Sequence, residues 1–324
     1  MSATDTRKLI IAVTGGAGSL AADILPGILD AGYRIRCIDR RLPEGAGDVA
    51  VETEQTFTDD GDAVTWVRAD ITDLVALREA LRGCDALVHL GGIPLEDTWE
   101  NLLTNNIDGT YKVLRASHEV GIGRVVLASS IHAAGYEPVP VDPRTLAARD
   151  NRPHDTVMLP ADIPPFPNTL YGVSKASMEA LGRYFSQRFG LEVVCLRIAS
   201  RFAEPADERM LSTWLSPADA TRLVLAAVSG PLEGGFQQVW GVSANTRRYL
   251  SLKEGHSIGY HPVDDAEPYA PEILATKRHG TDERPAWELT LGGVFSSLHP
   301  PSMDHGQTVQ RNMAQPTETR MKDS

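Results

Sequence analysis

The chain has 324 residues, 42% of them apolar, three cysteines and a formal net charge of −12. That size and apolar share suit one large α/β domain or a nucleotide-binding domain with a smaller cap, and the acidic balance argues against general affinity for nucleic acid. No apolar run approaches the ~20 residues needed to span a bilayer, and the polar start, Met1 to Lys8, is not expected to be a signal peptide.

Lys8 to Val13 reads as a β-branched apolar strand running into Thr14-Gly15-Gly16-Ala17-Gly18. Ser19 to Ala31 follows as a helix stopped by Gly32, and Arg34 to Ile38 as a second strand ending at Asp39. Strand, glycine turn, helix and strand within about 30 residues is the setting a dinucleotide fingerprint requires. Residues 43–62, rich in Gly, Asp, Glu and Thr, read as a surface loop. Thr65 to Ala69 is a third strand before Asp70, and a helix runs from about Asp73 to Leu81. Asp85 to Leu90 is a fourth strand, about Trp99 to Val120 a long helix, and Arg124 to Ala128 a fifth strand opening into Ser129-Ser130-Ile131-His132. Residues 136–167 hold eight prolines and read as an active-site loop or lid. The helix of Tyr171 then runs to about Phe189, and Glu192 to Ile198 is a sixth strand. Beyond it, Ser216-Pro217-Ala218-Asp219 reads as a helix start and Phe236 to Val242 as a strand, while residues 299–324 read as a flexible tail. Alternating strands and helices predict a doubly wound, mostly parallel sheet.

The turn Gly15-x-x-Gly18-x-x-Ala21 brings backbone N–H groups and a helix opening with Ser19 and Leu20 up to a pyrophosphate, because glycine leaves room for the anion. Asp39, at the end of the second strand, is placed to accept the hydroxyls of an adenosine ribose. It favours NAD over NADP, although Arg40 and Arg41 could hold a 2′-phosphate. Asp70 and Ile71 occupy the next strand end, where Asp70 either meets the adenine edge or caps a helix. Ser130 follows the fifth strand, where a ligand on a parallel sheet would lie; it either bridges a substrate oxygen or caps a turn. His132 either bonds substrate or packs under the loop. Tyr171 and Lys175 stand four residues apart, on one helix face. A phenol titrates near pH ~10 when unperturbed, and a neighbouring cation lowers that value, so this spacing can yield a base. The same spacing occurs by chance in amphipathic helices; the glycine turn upstream favours the catalytic reading. Arg209 is either a carboxylate clamp or a surface ion-pair partner. No cysteine has metal-ligand spacing to another, and no second His or acid is spaced to join His132 in a metal site.

Taken together, Thr14-Gly-x-x-Gly18, Asp39, His89-Leu90-Gly91-Gly92, Asn106, Ser130 and Tyr171-x-x-x-Lys175 resemble the extended, epimerase/dehydratase branch of the short-chain dehydrogenase/reductase superfamily, from about residue 8 to 290. Within it, His89 to Ile93, Leu170 to Lys175, Glu208 to Trp214 and Val239 to Asn245 are similar to the uronate dehydrogenases. The resemblance implies a Rossmann-type α/β fold with a small C-terminal substrate-binding part. Residues 1–198 would form the NAD-binding domain with the catalytic helix, and 199–298 an interleaved substrate-binding region. It implies NAD held by Gly15, Gly18, Ser19, Leu20, Asp39, Arg40, Asp70, Ile71, Leu90, Gly91, Gly92, Tyr171 and Lys175, with Asn106 supporting the catalytic helix. It further implies oxidation of a hexuronate-like sugar at C1 to a lactone. Tyr171 would take the hydroxyl proton, Lys175 would hold the nicotinamide ribose and keep Tyr171 acidic, and Ser130 would orient the hydroxyl. Arg209 would pair with the substrate carboxylate, with Ser200 and His132 beside it. Two departures from the subgroup stand out. Ile131 replaces a substrate-facing asparagine and Pro94 a substrate-binding serine, which points to a different or less hydroxylated substrate. Residues 138–160 would replace those contacts or reshape the pocket.

Two other functions fit parts of the sequence: a nucleotide-sugar epimerase with tightly held NAD, and a non-catalytic dinucleotide-sensing protein. The Ser, Tyr and Lys set weighs against the second. The partners expected are a small acidic sugar and a second copy of the chain through the long helices, with no nucleic acid and no membrane. Sparse, scattered cysteines lead to an expectation of reduced thiols and a cytoplasmic location.

Overall fold

The structure is a computed structural model that describes residues 8–43, 63–140, 158–275 and 289–297. The expected loop at 43–62, the centre of the proline-rich stretch and the expected tail at 299–324 thus lie almost wholly outside the described residues. In chain order the first half comprises β1 (Ile10–Thr14), α1 (Ser19–Asp30), β2 (Arg34–Asp39), β3 (Val64–Arg68), α2 (Leu74–Leu81), β4 (Ala86–His89), α3 (Trp99–Leu102), α4 (Gly109–Val120) and β5 (Arg124–Ser130). Then come α5 (Leu170–Phe189), β6 (Glu192–Ile198), β7 (Ser200–Arg201), α6 (Met210–Thr213), β8 (Trp214–Leu215), α7 (Pro217–Ser229) and β9 (Phe236–Gly241). Seven strands form one parallel sheet in the order β3-β2-β1-β4-β5-β6-β9. The order reverses beside β1, and that switch point leaves a crevice at the carboxyl ends of β1 and β4.

Side-chain alternation builds the two layers. On one face Ile11, Val13, Val126, Val194 and Leu196 pack with Ile24 and Ile28 of α1 and Leu223 and Val224 of α7. On the other, Ala12, Val125, Leu127, Val193 and Cys195 pack with Leu77 of α2, Val113 and Leu114 of α4, and Met178 and Phe185 of α5. Both faces are covered, as a parallel sheet demands. Ser216 caps α7 as read, accepting the Asp219 N–H with Pro217 in the first turn, and α2 is capped by Asp73, which accepts the Val75 and Ala76 N–H groups.

Two differences from the sequence reading bear on the site. β5 runs on through Ser129 and Ser130, so both serines stand on the strand itself, in register with Arg197 and Ile198 of β6. The long helix over 99–120 is not uniform: Leu103–Asp108 forms a π-helical stretch between α3 and α4. Such wide turns occur often at functional sites, and this one carries Asn106, which is 1% exposed.

Candidate active site

One cleft of about 1580 Å³ runs along the carboxyl ends of the strands, from the glycine turn to the segment Leu289–Ser297. Gly15, Gly18, Ser19, Leu20, Asp39, Arg40, Asp70, Ile71, Leu90, Gly91, Gly92, Ser130, His132, Tyr171, Lys175, Ser200 and Arg209 all line it. Of the expected site residues only Asn106 stands behind the wall.

At the turn end, Gly15 has φ 71°, and a Cβ there would lie 2.8 Å from Gly91 N. The two glycine segments thus approach closely enough that only glycine fits. Asp39 ends β2 with its carboxylate accepting the N–H of Ala17 (3.2 Å) and of Arg41 (3.0 Å), which ties it to the turn. Asp70 is not the helix cap that one reading allowed. It accepts both the N–H and the hydroxyl of Thr72 in a local turn, and Asp73 caps α2. Exposed backbone N–H groups at the start of α1, a cradle that a Cβ would fill and an acid at the end of β2 together fit a dinucleotide.

Ser130, Tyr171 and Lys175, the set expected to be catalytic, meet in the middle of the cleft. Lys175 Nζ lies 5.4 Å from the centre of the Tyr171 ring and donates to Ala128 O at 2.7 Å. Burial pushes the Tyr171 phenol up to about 12, against the pull of a hydrogen bond with Ser130, although the residue keeps part of its surface open to the cleft. The lowering expected from Lys175 is not among the causes; burial sets the direction for the phenol and also draws Lys175 itself down to about 8, while Glu179 opposes that fall. Gly172 presses against the sheet side of the site: a Cβ there would lie 2.3 Å from His132 O.

The sequence reading missed how α5 is held. Thr169 caps it conventionally, but Glu96 accepts the Leu170 and Tyr171 N–H groups at 3.0 and 2.8 Å, placing a carboxylate at the helix N-terminus. The side chain of Asn106 clasps Ile93 through both N–H and C=O and donates to Ser174 Oγ at 2.9 Å. Ser174 in turn donates to Tyr171 O. Behind Asn106, the Thr110 hydroxyl donates to Asn106 O and so accepts from His89 Nε2, while His89 Nδ1 accepts from Thr14 at the mouth of the glycine turn. A continuous hydrogen-bonded chain thus joins the cofactor cradle to the catalytic helix. Its imidazole is neutral, pushed down to about 3 by burial and by the Lys175 charge.

At the far end, Arg209 Nη1 donates to Ser200 Oγ at 3.1 Å, and Nε and Nη2 donate to Leu291 O. Thr213 donates to Arg209 O, so the Ser200 hydroxyl donates to Thr213. No carboxylate pairs with Arg209 among the described residues. His132 Nδ1 bonds Asn168 Oδ1 at 3.1 Å, and its ring meets Phe295 edge-on at 5.0 Å. Burial and the Arg209 charge lower it to about 4. Ile131 and Pro94, the two departures, both line the cleft, and Ile131 is buried. The described flanks of the proline-rich stretch are stapled down. Pro138 bridges Thr290, Leu159 bridges Leu250, and Val139 lines the cleft.

A Rossmann sheet whose strand ends gather a glycine turn, a serine and a Tyr–Lys pair defines a dinucleotide-dependent oxidoreductase. The chain belongs to the NAD dependent epimerase/dehydratase family, which it matches over residues 11–230. It is 36% identical over 229 residues to a uronate dehydrogenase of Agrobacterium fabrum, covering 71% of this chain and 80% of that one. It is 34% identical over 265 residues to an NAD-dependent glucose-6-phosphate dehydrogenase of Haloferax volcanii, covering 80% and 95%. Its structure resembles that of a mutant uronate dehydrogenase from Agrobacterium tumefaciens complexed with NAD, with a TM-score of 0.75 at 32% identity, covering 90% of this chain and 98% of that one. No group of three or more metal-ligating side chains and no helix long and apolar enough to cross a membrane occurs among the described residues.

Proposed function

We propose that the protein oxidises C1 of a cyclic, hexuronate-like sugar acid to the lactone. The observation that carries this reading is one cleft holding, in sequence along its floor, the dinucleotide cradle, the Ser130–Tyr171–Lys175 set and an arginine that pairs with no carboxylate among the described residues. Bound NAD supplies the acceptor for the hydride from C1. Ser130 orients the anomeric hydroxyl and Tyr171 takes its proton. Lys175, buried with its ammonium on Ala128 O, holds positive charge beside the phenol and reaches the ribose. Arg209 receives the substrate carboxylate with the N–H groups it has not given to Ser200 and Leu291, Ser200 braces the guanidinium, and His132 stands at the ring with Nε2 as an acceptor. Residues 199–298 supply this substrate end, with β9 interleaved into the main sheet.

The test is an NADH absorbance screen of purified protein against glucuronate, galacturonate, neutral aldoses, glucose 6-phosphate and nucleotide sugars. NADH accumulating with a hexuronate supports the reading. Tightly retained NAD with no net NADH would replace it with epimerisation. We also read Tyr111, Tyr184 and Phe189, exposed by 38, 53 and 42% on α4 and α5, as the contact with a second copy of the chain; light scattering of a Tyr184→Glu, Phe189→Glu variant tests this. Three buried thiols fit a reducing, cytoplasmic setting.

A further inference from the structure

Tyr249 follows the β9 strand and was not singled out by any sequence pattern. Its side chain is 0% exposed, yet the residue forms part of the cleft wall. Its backbone carbonyl accepts the Leu159 N–H at 2.8 Å, which fixes the residue in the core. The hydroxyl, by contrast, is buried with no hydrogen-bond partner among the described residues. Tyr249 and Arg209 line the same cleft; burial pushes the phenol up to about 12, with the Arg209 charge acting against that rise and Asp207 adding to it. A buried O–H left unpaired is costly, and folded proteins keep few of them.

The other donors at this end of the cleft are partly spent: Ser200 gives its proton to Thr213, and Arg209 gives three of its five N–H groups to Ser200 and Leu291. Pro94, Ile131 and Met210 line the same cleft and offer no donor from their side chains. A neutral phenol in such a place is an uncommitted donor that a ligand oxygen can satisfy. We propose that Tyr249 is a specificity-determining residue, donating its hydroxyl to the substrate carboxylate beside Arg209. The claim rests on the sugar-acid reading above and names a recognition group which that reading does not contain.

The experiment compares wild type with Tyr249→Phe, which removes one buried oxygen and keeps the ring. KM for the hexuronate should rise about ten- to a hundredfold, the range for a hydrogen bond to a charged group, with a smaller change in kcat. NAD affinity should stay as in wild type, and the preference for the acid over a neutral aldose should shrink by a similar factor. Without substrate, the variant should melt at the same temperature or higher, because an unpaired hydroxyl has left the core. In a Tyr171→Phe background with NAD, the melting shift produced by the hexuronate should then be smaller once Tyr249→Phe is added. Wild-type kinetics in the variant, equal losses on acid and neutral sugars, or a variant that unfolds would each overturn the proposal while hexuronate oxidation by the wild type stands. Failure of the wild type to oxidise any hexuronate would instead remove the underlying reading, and this inference with it.

Discussion

Tyr171 and Lys175 are held in a state that their spacing alone does not foretell. The four-residue step puts them together, but burial, not charge, sets their titration here, with the phenol near 12 and the ammonium near 8. Tyr171→Phe is expected to lower turnover by orders of magnitude and leave NAD affinity nearly intact; a fluorescence titration with NADH beside steady-state rates checks this, and near-wild-type activity would refute the base role. His89 gives a pH prediction. Its folded value, about 3, lies below the ~6.5 of an unfolded chain. The unfolded chain therefore binds the proton first as pH falls, so the contribution is fully present above about pH 6.5 and is lost progressively towards pH 3. His132, at about 4, adds in the same direction. Urea midpoints measured between about pH 7 and 4 should fall less steeply for His89→Gln than for wild type. Parallel slopes would show that the imidazole does not govern acid lability.

Elements built on local signals were legible in the sequence. Gly32 bounded α1, Ser216 was a readable cap, and the run of β-branched residues marked β1, whereas the cap of α2 is Asp73 and not the Asp70 that the sequence offered. What the sequence hid were contacts between distant segments. Glu96 and the α5 N–H groups it holds are 74 and 75 residues apart. Nor does any residue pattern announce that 103–108 widens into a π-turn, because the wide turn is stabilised by what Asn106 reaches. That side chain makes three hydrogen bonds, two to Ile93 and one to Ser174. Asn106→Ala should cost about 2–4 kcal/mol in chemical denaturation, since it leaves buried partners unpaired. It should lower kcat more than it weakens NAD binding, because Ser174 and the Tyr171 turn lose their brace. An equal loss in both would place Asn106 with the cofactor cradle instead.

At the scale of the whole molecule, one buried ion pair fastens the catalytic helix to three strands. Arg197 donates two N–H groups to Glu179, which also accepts from Ser129 and Gln238, so β5, β6 and β9 meet α5 one turn beyond Lys175. Removing one partner strands the other charge in the core. Glu179→Ala should therefore destabilise by about 3–5 kcal/mol, while an Arg197→Met, Glu179→Leu double variant should recover much of that loss. Additive losses would mean that the two residues act separately. The dinucleotide half of the cleft was readable from its glycines and acids. The substrate half was read only as Ser200, His132 and Arg209, because its remaining wall comes from Tyr249 and from a short segment near the end of the chain. That segment reaches back across the whole fold: Leu291 O receives Arg209, Ser296 bonds Asn168, and Phe295 meets His132. Truncating the gene before codon 289 would thus spare every residue that carries out the hydride and proton steps, yet blunt discrimination among sugars.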